Sequence, residues 1–186
     1  LTSLSAVAQN FASSDLPSLA LANAKGLDAG DYDNDGDLDL LVRWYDGTAI
    51  KWKAEIFRNT STAATISFVS TGIILADISG DCIWADLNND SKLDIIASGN
   101  DGITNFLRAN INVSGAYSTI IPISTDLATD IDWGDVDADG DKDLLITNAT
   151  ESFILTQTSA NTFSRTVTNT FSLHAVLVDY DLDYDL

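Results

Sequence analysis

This chain of 186 residues contains no methionine, one cysteine, one histidine and two prolines. A lone Cys82 excludes an internal disulfide. A lone His174 has no partner at a recognisable metal or catalytic spacing. Positive charge is scarce: nine Lys and Arg stand against 28 Asp and Glu, for a net charge of −19. A phosphate backbone needs cationic side chains, so no nucleic acid is expected as a partner, and anionic membrane surfaces are disfavoured. No apolar run is long enough to cross a bilayer and no signal-peptide pattern stands at the start, so no membrane insertion is expected. The start at Leu1, without an initiator methionine, is expected of a mature or excised segment. No G-x-S-x-G, Walker loop or HExxH pattern occurs, and the chain is expected not to be an enzyme.

What the chain has in abundance is aspartate at every second position. Asp31-Tyr-Asp33-Asn-Asp35-Gly36-Asp37-Leu-Asp39 is the first of four such stretches. Asp86-Leu-Asn88-Asn-Asp90-Ser91-Lys92-Leu-Asp94 is the second, and Asp135-Val-Asp137-Ala-Asp139-Gly140-Asp141-Lys-Asp143 the third. Asp179-Tyr-Asp181-Leu-Asp183-Tyr184-Asp185 begins a fourth, spanning 179–186. Carboxylates so spaced repel one another unless a cation sits among them. Calcium takes six to eight oxygens, supplied here by side chains at loop positions 1, 3 and 5 and a backbone carbonyl at position 7. Position 7 is Asp37, Lys92 or Asp141, and Asp39, Asp94 or Asp143 closes each loop at position 9. Gly36 and Gly140 fall at position 6, where a sharp turn calls for positive φ. Magnesium prefers a tighter octahedron with retained waters, and the absence of Cys and His from every loop disfavours zinc and copper.

Two other readings compete. Asp, Asn and Gly runs are ordinary turn formers, but the repetition speaks against turns alone. An EF-hand needs Glu at position 12 and flanking helices. Position 12 here is Val42, Ala97 or Ile146, inside short β-branched and leucine runs that predict buried strands. The loops therefore join strands. They also hold 17 of the 28 acidic residues, so the acidity belongs to metal sites and does not signal disorder. Loops one and three, with five carboxylates each and glycine at position 6, are expected to bind best. Loop two, with three carboxylates and Ser91, is expected to bind worst.

The loops begin 55, 49 and 44 residues apart. Spacings of this size with several strands each suggest propeller blades. Phe11, Phe68, Tyr117 and Phe163 precede the loops at similar distances. Ile56-Phe-Arg58-Asn59, Phe106-Leu-Arg108 and Phe153-Ile-Leu155 supply a further strand in each repeat. About four strands per repeat result, an all-β reading with 1–186 as one region. Residues 1 to about 20, with Val7-Ala-Gln-Asn10 and Phe11, read as the second half of a blade. Residues 172–186 read as the first half of another. About three full blades plus two half blades are thus expected, either excised from a longer array or completed by neighbouring copies in a filament.

The pattern resembles the FG-GAP/VCBS repeat family, the calcium-loop β-propeller blades of integrin α-subunit head domains, fungal lectins and many secreted bacterial proteins. The likeness rests on Gly30-Asp-Tyr-Asp-Asn-Asp-Gly-Asp-Leu-Asp-Leu-Leu41 and Trp133-Gly-Asp-Val-Asp-Ala-Asp-Gly-Asp-Lys-Asp-Leu-Leu145, with Phe57-Arg58-Asn59 fitting the later strand. The resemblance implies that each metal loop joins the first two strands of a blade and that the ions stiffen the scaffold. Copy two departs at Asn88, Ser91 and Lys92, and copy four at Tyr184.

Weak calcium loops suit the millimolar calcium outside cells, so an extracellular or cell-surface location is expected. Asn59-Thr-Ser61, Asn112-Val-Ser114 and Asn148-Ala-Thr150 are glycosylation sequons. Trp84 and Trp133 stand just before loops and suggest packing between blades. Trp44, Tyr45 and Trp52 break the repeat and are the best candidates for an exposed patch binding sugar or protein. Asp77, Asp81, Asp130 and Asp132 read as strand-edge and turn residues. The functional expectation is a non-enzymatic, calcium-stabilised scaffold for adhesion or for protein or glycan ligands. An accessory propeller of a secreted carbohydrate-active enzyme and a self-assembling filament subunit are the alternatives.

Overall fold

The computed structural model describes residues 24–168 and 174–178. The fourth loop, with Asp179, Asp181 and Asp183, and the amino-terminal half blade lie outside the described residues. Within those residues the chain forms twelve strands in three four-stranded antiparallel sheets, without a helix. The first sheet holds β1 (Ala24–Gly30), β2 (Asp39–Asp46), β3 (Lys51–Asn59) and β4 (Phe68–Ala76). The second holds β5 (Cys82–Ala85), β6 (Asp94–Asn100), β7 (Asn105–Val113) and β8 (Ala116–Ser124). The third holds β9 (Asp130–Gly134), β10 (Asp143–Thr147), β11 (Ser152–Ser159) and β12 (Thr162–Val167). Every sheet runs in chain order. Each of the three described acidic loops joins the first strand of a sheet to the second, as the runs after Asp39, Asp94 and Asp143 require.

Period-two alternation explains how the sheets stack. Every residue of β6 except Asn100 is buried. Its Ile95 and Ala97 face the first sheet, where they join Leu41, Ala54, Ile56 and Leu75. Its Ile96 faces the third sheet and meets Leu144, Ile146 and Phe153. A strand covered on both sides must be apolar on both sides, hence the unbroken Ile-Ile-Ala run. Trp84 fills the seam between the first two sheets, stacked at 6.0 Å on Tyr32 and tilted at 6.1 Å against Tyr117. Packing thus explains it, as its place before the loop suggests. Cys82 is buried in the same layer, which pushes its thiol pKa up.

The first strands of the sheets are tied by carboxylates that reach across to the next unit's backbone. Asp28 accepts the Trp84 amide at 2.7 Å and Asp81 accepts the Ile131 amide at 3.1 Å. Asp130 and Asp132 accept the amides of Ala175 and Leu177 at 2.9 and 2.6 Å. Residues 174–178 therefore lie against β9 through the same kind of contact that holds β5 to β1. Burial raises the Asp81 pKa above the usual carboxylate range, while the Cys82 and Ile131 amides lower it. Asp77, at φ 66°, is the turn residue the sequence suggests.

Close approach constrains two glycines, one against main chain and one against side chains. A methyl on Gly99 would stand 1.8 Å from the Asp77 carbonyl oxygen, which also accepts the Asn100 amide. At Gly30 it would meet the side chains of Leu93 at 2.4 Å and Trp84 at 3.0 Å. Side chains can shift and main chain cannot. Gly99→Ala should therefore destabilise most, by about 1–3 kcal/mol or more. Gly30→Ala should cost less, and Gly47→Ala, which meets open space, least. Urea unfolding of the three variants checks this order.

Candidate metal centre

The three described loops share one hydrogen-bonded frame. The position 1 carboxylate accepts the amides of positions 5 and 6: Asp31 from Asp35 and Gly36, Asp86 from Asp90 and Ser91, Asp135 from Asp139 and Gly140, all between 2.9 and 3.1 Å. The position 5 carboxylate accepts the amide of position 7: Asp35 from Asp37, Asp90 from Lys92, Asp139 from Asp141. These bonds curl the loop so that its side-chain oxygens converge. A carboxylate oxygen that accepts one amide keeps a lone pair for a cation.

The position 9 aspartates anchor the frame. Asp39, Asp94 and Asp143 have no solvent exposure. Each takes one amide from position 2 of its own loop: Tyr32 at 3.3 Å, Leu87 at 3.2 Å, Val136 at 2.8 Å. Each takes a second from the third strand of its sheet: Asn59 at 2.7 Å, Asn112 at 2.8 Å, Gln157 at 2.8 Å. Desolvation raises the pKa of Asp39 and Asp94, against the lowering effect of those amides. In loop three Asp137 is also raised, by desolvation and then by Asp139, Asp143 and Asp135.

Two groups of carboxylates come close enough to share one ion. Asp31, Asp33 and Asp35 offer oxygens within 4.8 Å of one another, and so do Asp135, Asp137 and Asp143. Ligands at 2.3–2.6 Å from calcium lie at most about 5 Å apart, so both groups fit that ion. The groups differ in membership: Asp143 joins its cluster, whereas Asp39 lies outside the loop-one group. Loop two has Asn88 at position 3, whose side-chain oxygen accepts the Asp90 amide at 3.0 Å. There Lys92 places its ammonium 3.2 Å from the Asp90 carboxylate, an exposed pair that competes with a cation.

Position 4 carries a feature that sequence reasoning passed over. Asn34, Asn89 and Ala138 all have positive φ, between 56° and 60°. Position 6 does too, at 95° for Gly36, 93° for Gly140 and 64° for Ser91. Ser91 adopts the left-handed region without glycine's freedom, at a cost of about 1–2 kcal/mol.

Other candidate residues have different surroundings. Asn112 is buried, and its amide nitrogen donates to the Tyr32 carbonyl at 3.1 Å, the Leu93 carbonyl at 3.2 Å and the Tyr117 hydroxyl at 3.2 Å. A glycan on that nitrogen would displace these contacts. The Asn59 amide donates to the Leu38 carbonyl at 3.0 Å. Asn148 accepts the amides of Thr150 and Glu151 through its side-chain oxygen. Trp44, Tyr45 and Trp52 are half-buried. The Arg43 guanidinium lies 4.9 Å over Trp52, and the Lys53 ammonium 5.4 Å over Trp44. The aromatic patch is thus partly capped by cations. His174 is largely exposed and sits 3.5 Å from Asp130.

The raised pKa values of Asp39 and Asp94 set a pH response. The folded, metal-free chain holds their protons more tightly than the unfolded chain, so this component of stability falls as pH rises through the raised values. In chelator, urea midpoints should fall as pH rises above about 4, the ordinary carboxylate value. Asp94→Asn should flatten the response. Asp143→Ala leaves the Val136 and Gln157 amides without their acceptor and should cost more than about 2 kcal/mol at neutral pH.

No family model and no curated protein matches the chain.

Proposed function

We propose that the chain is a run of calcium-loop β-propeller blades serving as a non-enzymatic extracellular scaffold for adhesion or for protein or glycan ligands. One observation carries the metal reading: two equivalent loops each gather three carboxylates with oxygens within 4.8 Å. The loop sequences resemble the FG-GAP/VCBS pattern, and the observed sheets have the four-stranded, chain-ordered form of a blade. The contact of residues 174–178 with Asp130 and Asp132 supports a row of units that continues beyond the third sheet.

The ions would act as internal cross-links. Each loop spans from the first to the second strand and is tied by its last aspartate to the third. A divalent cation there offsets two of up to five like charges in a loop that touches three strands. Ions that bind only the folded state stabilise it by mass action, by about 2.7 kcal/mol at a hundredfold excess over the dissociation constant. The melting temperature should rise with calcium and fall in EDTA. Asp35→Ala and Asp139→Ala should each remove a tighter site than Asp90→Ala does, read by calorimetric titration. An unchanged melting temperature in EDTA, or loss of the tightest site in Asp90→Ala, would overturn the reading.

Secretion from a eukaryotic cell would add N-glycans. Asn148, on the turn after β10, is the expected first site, and buried Asn112 is expected to stay bare. Intact mass of Asn148→Gln and Asn112→Gln variants before and after glycosidase decides between them.

A further inference from the structure

We infer that the loops do not fill independently: a cation in one loop raises the affinity of its neighbour through Asn34 and Asn89. This rests on the calcium reading above.

The argument starts from a contact that occurs twice in the same form. The Asn34 amide nitrogen donates to the Ser91 carbonyl oxygen at 3.2 Å, across 57 residues of chain. The Asn89 amide nitrogen donates to the Gly140 carbonyl oxygen at 2.9 Å, across 51 residues. In both cases position 4 of one loop meets position 6 of the next. The acceptors are carbonyls, so the orientation of each asparagine amide is fixed by its partner.

The accepting peptide is part of the neighbour's metal frame. The carbonyl of Ser91 belongs to the peptide whose N–H, on Lys92, donates to Asp90 at 3.0 Å. The carbonyl of Gly140 belongs to the peptide whose N–H, on Asp141, donates to Asp139 at 2.9 Å. Asp90 and Asp139 hold position 5 of their loops, where the calcium reading places a ligand. A cation bound to Asp90 therefore steadies the Ser91–Lys92 peptide, and that peptide steadies Asn34. Asn34 stands at φ 60° between Asp33 and Asp35, two of the three carboxylates gathered in loop one. Holding Asn34 in the left-handed region places both ligands before their ion arrives. Loop one, whose carboxylates repel one another, then loses less freedom on binding. The same path runs from Asp139 through Asn89 to Asn88 and Asp90.

Thermodynamic linkage makes the effect reciprocal. Its size is bounded by one exposed hydrogen bond, which corresponds to about a threefold to tenfold change in affinity. Loop three provides an internal control at position 4. Ala138 stands at φ 59° there and has no amide to donate, so alanine is compatible with this backbone.

The test is a calcium titration of the 186-residue chain followed by 15N NMR. The Gly36 amide reports loop one and the Gly140 amide reports loop three. Asp90→Ala cripples loop two and should weaken calcium binding at Gly36 about threefold to tenfold. With Asn34→Ala already present, the same substitution should leave binding at Gly36 unchanged. An Asn34→Ala/Asn89→Ala double variant keeps every carboxylate and gives a second route: the titration should lose the steepness seen in the unsubstituted chain. An Asp90→Ala effect at Gly36 that is absent, or equal with and without Asn34, overturns the coupling and leaves the calcium reading standing. So does equal steepness with and without the two asparagines. Calcium that moves neither Gly36 nor Gly140 overturns both.

Discussion

A carboxylate removed entirely from water must have its oxygens occupied, or it destabilises the fold around it. Asp39, Asp94 and Asp143 meet that condition in the same way. One oxygen takes an amide from the loop, and the other takes an amide from the third strand. This double acceptance is the interaction on which each sheet depends. It closes the loop, sets the register at which the second strand leaves it, and pins the third strand beside that strand. The apolar residues that follow each aspartate then fall on the correct faces. Leu41, Ile95 and Leu144 are fully buried one or two positions later.

The same anchor explains why acidity and compactness coexist here. Among the described residues most of the acidic side chains stand in the three loops at one end of the sheets, and all but Asp39, Asp94 and Asp143 of those keep some contact with solvent. The apolar layers between the sheets contain almost none of them. Repulsion therefore acts along short loops and spares the core.

The parts of the structure governed by short-range rules were legible in the sequence. Short unbroken β-branched and leucine runs marked β2, β6 and β10, and the Ile56, Phe106 and Phe153 runs marked β3, β7 and β11. The loop positions that need carboxylates were visible because their spacing is fixed by the loop itself. Three features were not legible. The left-handed residue at position 4 is Asn twice but Ala once, so composition gave no steady signal. Asn112 matched a sequon, and nothing nearby in sequence revealed that its amide serves Tyr32, some 80 residues earlier. Asp28, Asp81, Asp130 and Asp132 bond to main-chain amides 45 to 56 residues later. A side chain that binds backbone leaves no pattern at its partner, because every residue type except proline carries the same N–H.

Those four aspartates tie the sheets at more than one register. From the first sheet to the second, the acceptor stands three residues before the loop and the donor amide two residues before. From the second to the third, the acceptor has moved to five residues before and the donor to four. Beyond the third sheet both acceptor positions are used at once. Among the described residues the junctions thus differ in how many carboxylates tie them, one at the first and at the second and two at the third. Because every partner is a main-chain N–H, the side chain at a donor position can vary freely while the tie persists, and proline alone would cut it.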